Sequence, residues 1–254
     1  MKIILSALAS TLALGTLCSQ AIAQEADKAP ALNPVEVFTC DYNKGKSRAD
    51  LDKVIARWNK WSDDNNPTPY TAWVMTPVFY GPEITFDIVW LGGWPSYAAM
   101  GENQTIWQNE GRKMNAEFFK VLSCDTHSSM AVMPMQAPGE PTSSSLVRFM
   151  DCEIDDDASP EDVLTAHREF GSFMQSKGSD TAAWLFFPAL GAGDIEYDYK
   201  LVLANADHRS LAKDGEIIAN GGGWMKRGEV FKDIVQCDSP RLYQADLVRN
   251  AAAK

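Results

Sequence analysis

Three histidines are the side chains in this 254-residue sequence best suited to metal, haem or proton chemistry. His167 lies on an apolar helical stripe, so it is interpreted either as a haem or metal ligand or as a buried structural histidine. His127 is expected to be exposed, and His208 falls in a broken helical region. No motif assigns a catalytic role to any residue, so the catalytic residues stay unknown.

Asp87 and Asp198 occupy equivalent positions of two similar strand-like segments. Aspartate forms strands poorly, so a packing explanation is unattractive. Buried carboxylates need charged or hydrogen-bonding partners, and Glu196 and Lys200 are close by in sequence. These four residues predict a polar, hydrated cavity between two packed sheets. It would be either a structural network or the floor of a binding site.

An aromatic group in the first half of the chain has no counterpart in the second. Trp90 and Trp94 lie near Tyr97, whereas Leu201 and Asn205 stand at the positions equivalent to the two tryptophans. The group could line a pocket for an apolar ligand. The alternative is that the first half simply has larger core residues.

Other patterns argue against metal and phosphate sites. The acidic run 151–162 lacks the spacing of an EF-hand loop and precedes a helix, where acidic side chains favour the helix dipole. Residues 221–223 are all glycine, but no Lys-Ser or Lys-Thr pair follows them as in a phosphate-binding loop. The sequence therefore predicts no metal site.

Residues 1–23 have the features of a secretory signal peptide. Lys2 supplies the positive start, 3–17 is apolar, and a small-x-small cleavage pattern places the mature start at Gln24. The mature chain then has 22 basic and 34 acidic side chains, a net charge of −12 (22 − 34). That charge disfavours nucleic-acid binding, and the expected location is periplasmic or secreted.

Four cysteines remain after Cys18 is removed with the signal peptide, and an even number in an exported chain indicates two disulfides. Cys152 follows Cys40 by 112 positions, and Cys237 follows Cys124 by 113. Other segments recur at nearly the same offset, which indicates an internal duplication.

Each copy has the pattern β-α-β-β-α-β, the ferredoxin-like arrangement. The first helix of each copy carries an apolar stripe, and the third strand alternates between apolar and mixed faces. In this topology the first and fourth strands are antiparallel neighbours. Of the three pairings that spacing allows, the topology therefore selects Cys40–Cys124 and Cys152–Cys237.

The predicted fold class is α+β, with two tandem ferredoxin-like repeats packed sheet to sheet as an α/β barrel. The predicted domain boundaries are as follows: signal peptide 1–23, N-terminal linker 24–34, repeat one 35–135, linker 136–145 and repeat two 146–249.

This pattern resembles the dimeric α/β-barrel superfamily with two copies fused. Residues 84–100, a strand followed by a broken helix, are similar to NIPSNAP-type and antibiotic-monooxygenase-type domains. The superfamily includes cofactor-free oxygenases, haem enzymes and proteins of no known activity. Its chlorite-dismutase-like members have two such domains per chain and a haem-binding histidine in the second, which makes His167 the implied candidate.

The absence of a catalytic motif leads us to expect an exported small-ligand-binding or accessory protein. The alternative is an oxidoreductase or monooxygenase of the α/β-barrel type, haem-dependent or cofactor-free. No cofactor is expected, with haem left open. The expected partner is a small apolar or aromatic ligand, without nucleic acid or a membrane span, and association into a homo-oligomer is left open.

The cleavage pattern generates a direct prediction. Intact-mass and N-terminal sequencing of the protein exported by an expressing cell should find Gln24 as the first residue. Retention of residues 1–23, or a lipid on Cys18, would contradict the signal-peptide interpretation.

Overall fold

The computed structural model describes residues 31–137 and 142–250. The predicted signal peptide, and parts of both predicted linkers, lie outside these residues. Half one (residues 33–136) and half two (residues 144–249) have the same order of elements, except that half two has one additional short strand. In half one the elements are β1 (Asn33–Tyr42), α1 (Arg48–Asn65), β2 (Thr71–Phe79), β3 (Ile88–Gly93), α2 (Tyr97–Glu110), α3 (Arg112–Phe119) and β4 (Leu122–Gln136). In half two they are β5 (Ser144–Ile154), α4 (Pro160–Ser176), β6 (Ala182–Leu190), β7 (Tyr199–Asn205), α5 (His208–Ala219), α6 (Gly223–Val230), β8 (Val235–Cys237) and β9 (Arg241–Arg249).

Each half contains a four-stranded antiparallel sheet in the ferredoxin-like order. In half one the order is β4-β1-β3-β2, and in half two it is β9-β5-β7-β6. The sheets also pair edge to edge, β4 with β6 and β2 with β9, which closes an eight-stranded barrel. The predicted fold class is therefore confirmed. The sheets close on each other through hydrogen-bonded edges as well as through facing side chains.

Strand alternation divides the apolar side chains between the inside and the outside of the barrel. Val89 and Val202 point inward, into a cluster shared by both halves. Ile88 and Trp90 point outward and pack under α1 to α3, and Tyr199 packs under the helices of half two. The apolar stripe of α1 is buried as predicted, from Leu51 to Trp58. The helices therefore cover the outer sheet faces, and a site can form between sheet and helices in either half.

Several predicted boundaries shift. The third strand begins at Ile88 rather than at residue 84, because 84–87 form the loop that enters it. Pro77 was expected to end the second strand, but β2 continues to Phe79. Beyond Met75, β2 pairs only with β9, so a residue without an N–H is tolerated there.

The two helix starts also differ. Ser159 forms the predicted capping box with Asp162. Ser47 does not, because its hydroxyl donates to the Asp50 carboxylate and caps no backbone N–H. The predicted break in the second helical region is confirmed at Gly111, and in half two it lies at Gly222, whose φ is +87°.

Both predicted disulfides are present. Cys40 pairs directly with Cys124 across β1 and β4, and Cys152 pairs with Cys237 across β5 and β8. Each bond ties the end of the first strand of its half to the start of the returning chain.

Removal of one disulfide is expected to destabilise the protein. Replacing both Cys40 and Cys124 by alanine should lower the free energy of unfolding by about 4 kcal/mol, because the bond closes a loop of 84 residues in the unfolded chain. Urea unfolding followed by circular dichroism measures this. The Cys152→Ala, Cys237→Ala variant should behave alike, and a loss below about 1 kcal/mol in both would contradict the chain-entropy account.

Candidate functional site

A cavity of about 480 Å³ lies in half one, between the outer face of the sheet and helices α1 to α3. Its volume is within the range of sites for small organic ligands. Aromatic side chains form much of its wall, namely Phe38, Trp58, Tyr70, Trp90, Trp94 and Trp107.

Local structure explains why these rings converge. Trp90 lies on the helix-facing side of β3, and Trp58 lies on the buried stripe of α1. Their ring centroids are 5.2 Å apart in an edge-to-face contact. Trp94 follows β3 directly, and its ring is 4.7 Å from that of Tyr70. The cluster therefore forms a rigid aromatic wall.

A buried carboxylate forms the polar edge of the cavity. Glu36 in β1 is 8 % exposed, and it lies on the helix-facing side of the strand. The Tyr70 hydroxyl donates to its Oε1 at 2.6 Å, and the Gln104 amide donates to its Oε2 at 3.0 Å. Burial of a carboxylate is costly without such donors, so α2 and the sheet are both needed to hold Glu36.

Tyr70 is fixed as a donor toward Glu36. The Trp90 indole N–H donates to the Tyr70 hydroxyl at 2.9 Å, so the phenolic proton is directed at the carboxylate. Burial raises the pKa of Tyr70 well above its usual value, and the neighbouring Glu36 raises it further. The tyrosine crosses Gly92 so closely that a Cβ there would lie 1.7 Å from its hydroxyl oxygen.

His127 in β4 reaches the same carboxylate from the cavity mouth. Its Nε2 lies 3.0 Å from Glu36 Oε2, and its ring stacks on Phe38 with centroids 3.7 Å apart. Because Glu36 accepts from every other neighbour, this network assigns the histidine proton to Nε2. Nδ1 then carries the lone pair, and it makes no hydrogen bond within 31–137 and 142–250. The side chain is half exposed, in partial agreement with its predicted exposure.

The predicted aromatic residues divide into two groups. Trp90 and Trp94 line the cavity, and both are more than nine-tenths buried. Tyr97 is the first residue of α2 and is 49 % exposed, outside the cavity lining.

The hydrated inter-sheet cavity predicted around Asp87, Asp198, Glu196 and Lys200 is wrong. Asp87 is exposed and accepts from the Tyr42 backbone N–H, and Asp198 is exposed and accepts from the backbone N–H of residue 154. Both aspartates precede their strands, so they fasten the incoming loop to the end of the first strand. Glu196 is also exposed. A ligand-binding role for these residues stays a prediction.

The Lys200 ammonium pairs with Asp151 rather than with either predicted aspartate. It also lies 3.9 Å from the centre of the Tyr197 ring. Burial lowers the pKa of Lys200, although the bond to Asp151 opposes that shift.

His167 lies in the packed interior of half two. Its Nε2 is 2.7 Å from the Tyr199 hydroxyl, and its ring contacts that of Phe231 at 4.9 Å. Burial lowers the pKa of His167 to about 4, so the imidazole is neutral at pH 7. One of the two ring nitrogens, Nε2, is therefore engaged with a side chain of the protein itself.

Sequence reasoning missed Glu36, Tyr70, Gln104 and the cavity-facing role of His127. The available signal was Glu36, a charged residue inside the apolar segment 35–40 and on the same strand face as Phe38 and Cys40. Its partners come from α2, β4 and the segment before β2, so no sequence spacing connects them.

No protein-family model matches this sequence, and no curated protein is similar to it. Solved structures do share the fold. A candidate monooxygenase from Fusobacterium nucleatum subsp. nucleatum matches 87% of this chain and 95% of its own, with 11% identity and a TM-score of 0.55. For an anthrone oxidase-like protein, the match covers 89% of this chain and 96% of the other, with 13% identity and a TM-score of 0.52. For a mutant chlorite dismutase from Candidatus Nitrospira defluvii, the match covers 87% of this chain and 94% of the other, with 7% identity and a TM-score of 0.52.

These likenesses show that the chain shares its fold with those proteins, and they correct two expectations. The main expectation, a non-catalytic binding or accessory protein, is contradicted, because the neighbours are described as oxidase-like, monooxygenase and dismutase proteins. The expectation of no cofactor is contradicted as well, because a chlorite dismutase is among the structures that share the fold, and the sequence resemblance connects that group with a haem-binding histidine. A missing catalytic motif was weak evidence, since function depends on the site that a fold carries and a site need not be contiguous in sequence.

Within the two described ranges, no helix is long and apolar enough to cross a membrane. The same residues contain no group of three or more histidine, cysteine, aspartate or glutamate side chains placed to hold a metal ion.

The burial of His167 predicts a pH-dependent stability. Its folded pKa is about 4, against about 6.5 in an unfolded chain, so the unfolded state takes up the proton first. The stability contributed by the neutral imidazole is complete above pH 6.5. It should fall by up to about 3 kcal/mol as the pH drops to 4.

Urea unfolding of the wild type and of a His167→Phe variant at several pH values tests this. The variant should lose less stability than the wild type between pH 6.5 and 4. His208→Ala, at an exposed position at the start of α5, should keep the wild-type slope. Equal slopes for the wild type and His167→Phe would refute the assignment.

Proposed function

We propose that this protein is an oxidoreductase of the monooxygenase kind, and that the half-one cavity is its active site and binds haem. The observation that carries the proposal is the Glu36–His127 pair at the polar edge of an aromatic cavity. The fold shared with monooxygenase-type and chlorite dismutase structures supports the reaction class by analogy.

The donor set fits a haem. Histidines that bind iron or other metals commonly donate their second ring N–H to a carboxylate, which fixes the tautomer and makes the ligand more basic. His127 has this arrangement, with Nε2 on Glu36, and its Nδ1 would bind the iron. Flat aromatic side chains suit the faces of a macrocycle.

The second candidate ligand fits poorly. His167 has its Nε2 on Tyr199 and its ring against Phe231. Binding of iron there would require the opening of a packed core, because the imidazole is buried against Phe231. The implied location of haem in the second domain is therefore not adopted.

The residues of the chain have distinct roles in this proposal. His127 would hold the iron, and Glu36 orients the imidazole and keeps its proton on Nε2. Tyr70 and Gln104 hold the carboxylate in place. When bound, haem supplies the one-electron and oxygen chemistry that side chains lack.

The charge of the cavity sets one condition on the cofactor. The charged lining residues are Glu36 and Asp125, and no lysine or arginine is among the lining residues described. The propionates of a haem held here would therefore be solvated rather than paired with side-chain cations. Trp58, Trp90 and Trp94 are buried and form an apolar part of the lining.

Location and internal organisation belong to the same proposal. Two disulfides support an oxidising compartment outside the cytoplasm, in line with the predicted signal peptide. The equal order of elements in the two halves supports the proposed duplication of repeats 35–135 and 146–249.

Titration of the purified protein with haemin tests the function. The wild type should develop a Soret band, and His127→Ala should lose it. Glu36→Gln should weaken haem affinity roughly 10- to 100-fold, because an orienting carboxylate is removed.

His208→Ala and His167→Phe are the matched controls, and both should bind haem like the wild type. Absence of a Soret band in the wild type would contradict the proposal. So would a band that survives in His127→Ala, or one that disappears only in His167→Phe.

A further inference from the structure

Half two carries a polar cluster at the positions that correspond to the half-one cavity. Arg148 stands four residues before the disulfide cysteine of β5, as Glu36 does in β1. Asp214 stands seven residues after the cap of α5, as Asn103 does after the cap of α2. Asn205 occupies the register position of Trp94.

This cluster is centred on Asp214, which is 3 % exposed. Its carboxylate accepts from Arg148 Nη2 at 2.9 Å, from Ser179 Oγ at 2.7 Å and from Asn205 Nδ2 at 3.0 Å. Thr181 donates to it as well. Burial alone would raise the pKa of Asp214, but these hydrogen bonds and the Arg148 charge outweigh that cost and lower it.

The Arg148 guanidinium bridges the sheet and α5. It donates to Asn205 Oδ1 at 2.9 Å as well as to Asp214. In half one the sheet and α2 are bridged by the hydrogen bond between Glu36 and Gln104. This bridge lies beside the cavity that is lined by tryptophan rings. A paired, buried guanidinium is expensive to displace, because either partner alone would be an unpaired charge.

A second polar pair lies in the core of half two, where half one has isoleucines that do not line the cavity. Tyr199 replaces Ile88, and His167 replaces Ile55 of the α1 stripe. The Tyr199 hydroxyl and His167 Nε2 are 2.7 Å apart, and Phe231 closes against the imidazole. Half two therefore contains a polar network at cavity-lining positions and a polar pair in the core, and in both the side chains bind each other.

We infer that the Arg148–Asp214 network occupies, in half two, the place of a ligand, so each chain binds one flat aromatic ligand and binds it in half one. The inference rests on the proposed function only for the identity of that ligand. A ligand that binds half one should stabilise its elements and leave those of half two unchanged.

Protoporphyrin IX is a suitable probe, because it is flat and aromatic and contains no iron for His127 to bind. Native mass spectrometry and tryptophan quenching should give one porphyrin per chain. Hydrogen exchange should slow in β1, β3 and α1 to α3, and should stay unchanged in α4 to α6.

Two matched variants sharpen the test. Trp94→Asn places the half-two residue in half one and should weaken porphyrin binding by roughly tenfold or more, because an aromatic wall is lost. Asn205→Ala changes the equivalent position of half two and should leave the affinity unchanged. If Asn205→Ala does not fold, the wild-type stoichiometry and exchange map still decide the outcome.

The failures of the two proposals are distinguishable. Two porphyrins per chain, or protection in α4 to α6, would overturn the single-site inference and leave His127-dependent haem binding intact. If one porphyrin binds in half one but haemin binding is unchanged in His127→Ala, the haem function alone would be overturned. Absence of binding by either probe would overturn both.

Discussion

Edge-to-edge pairing of β4 with β6 and of β2 with β9 is the constraint on which the architecture depends. Each half alone is a sheet with helices on one face and an uncovered apolar face. Closure of the barrel buries those inner faces against each other and satisfies the backbone groups at four strand edges. The outer faces remain under the helices, so both possible sites lie between sheet and helix rather than inside the barrel.

The two halves use that space differently. Half one places a buried carboxylate, Glu36, among donors from α2, β4 and the segment before β2, and leaves an aromatic cavity beside it. Half two places Arg148 at the same strand position and neutralises it with Asp214. One fold thus contains an aromatic cavity in half one and a network of paired polar side chains at equivalent positions in half two. The difference comes from a few side chains, since the backbone order is shared.

Strand and helix order, the two disulfides and the division of the strand faces were all predictable from the sequence. Each depends on local periodicity or on a recurring offset, as for the stripe Leu51 to Trp58 and the cysteines 112 and 113 positions apart. Strand ends were less predictable. β2 continues through Pro77 because this part of the strand pairs with β9 and no longer with β3. Which strands pair is decided by the sheet and cannot be read from the local sequence.

The candidate site was predictable only in part, through the unrepeated pair Trp90 and Trp94. Sequence by itself determined which residues alternate, which segments recur and which cysteines could meet, because these follow from spacing along the chain. Tertiary structure decided that Asp87 and Asp198 fasten loops, that His167 pairs with Tyr199, and that Glu36 meets His127. Those partners are 32 to 91 positions apart, or depend on a backbone N–H of another strand, and only packing brings such groups within hydrogen-bonding distance.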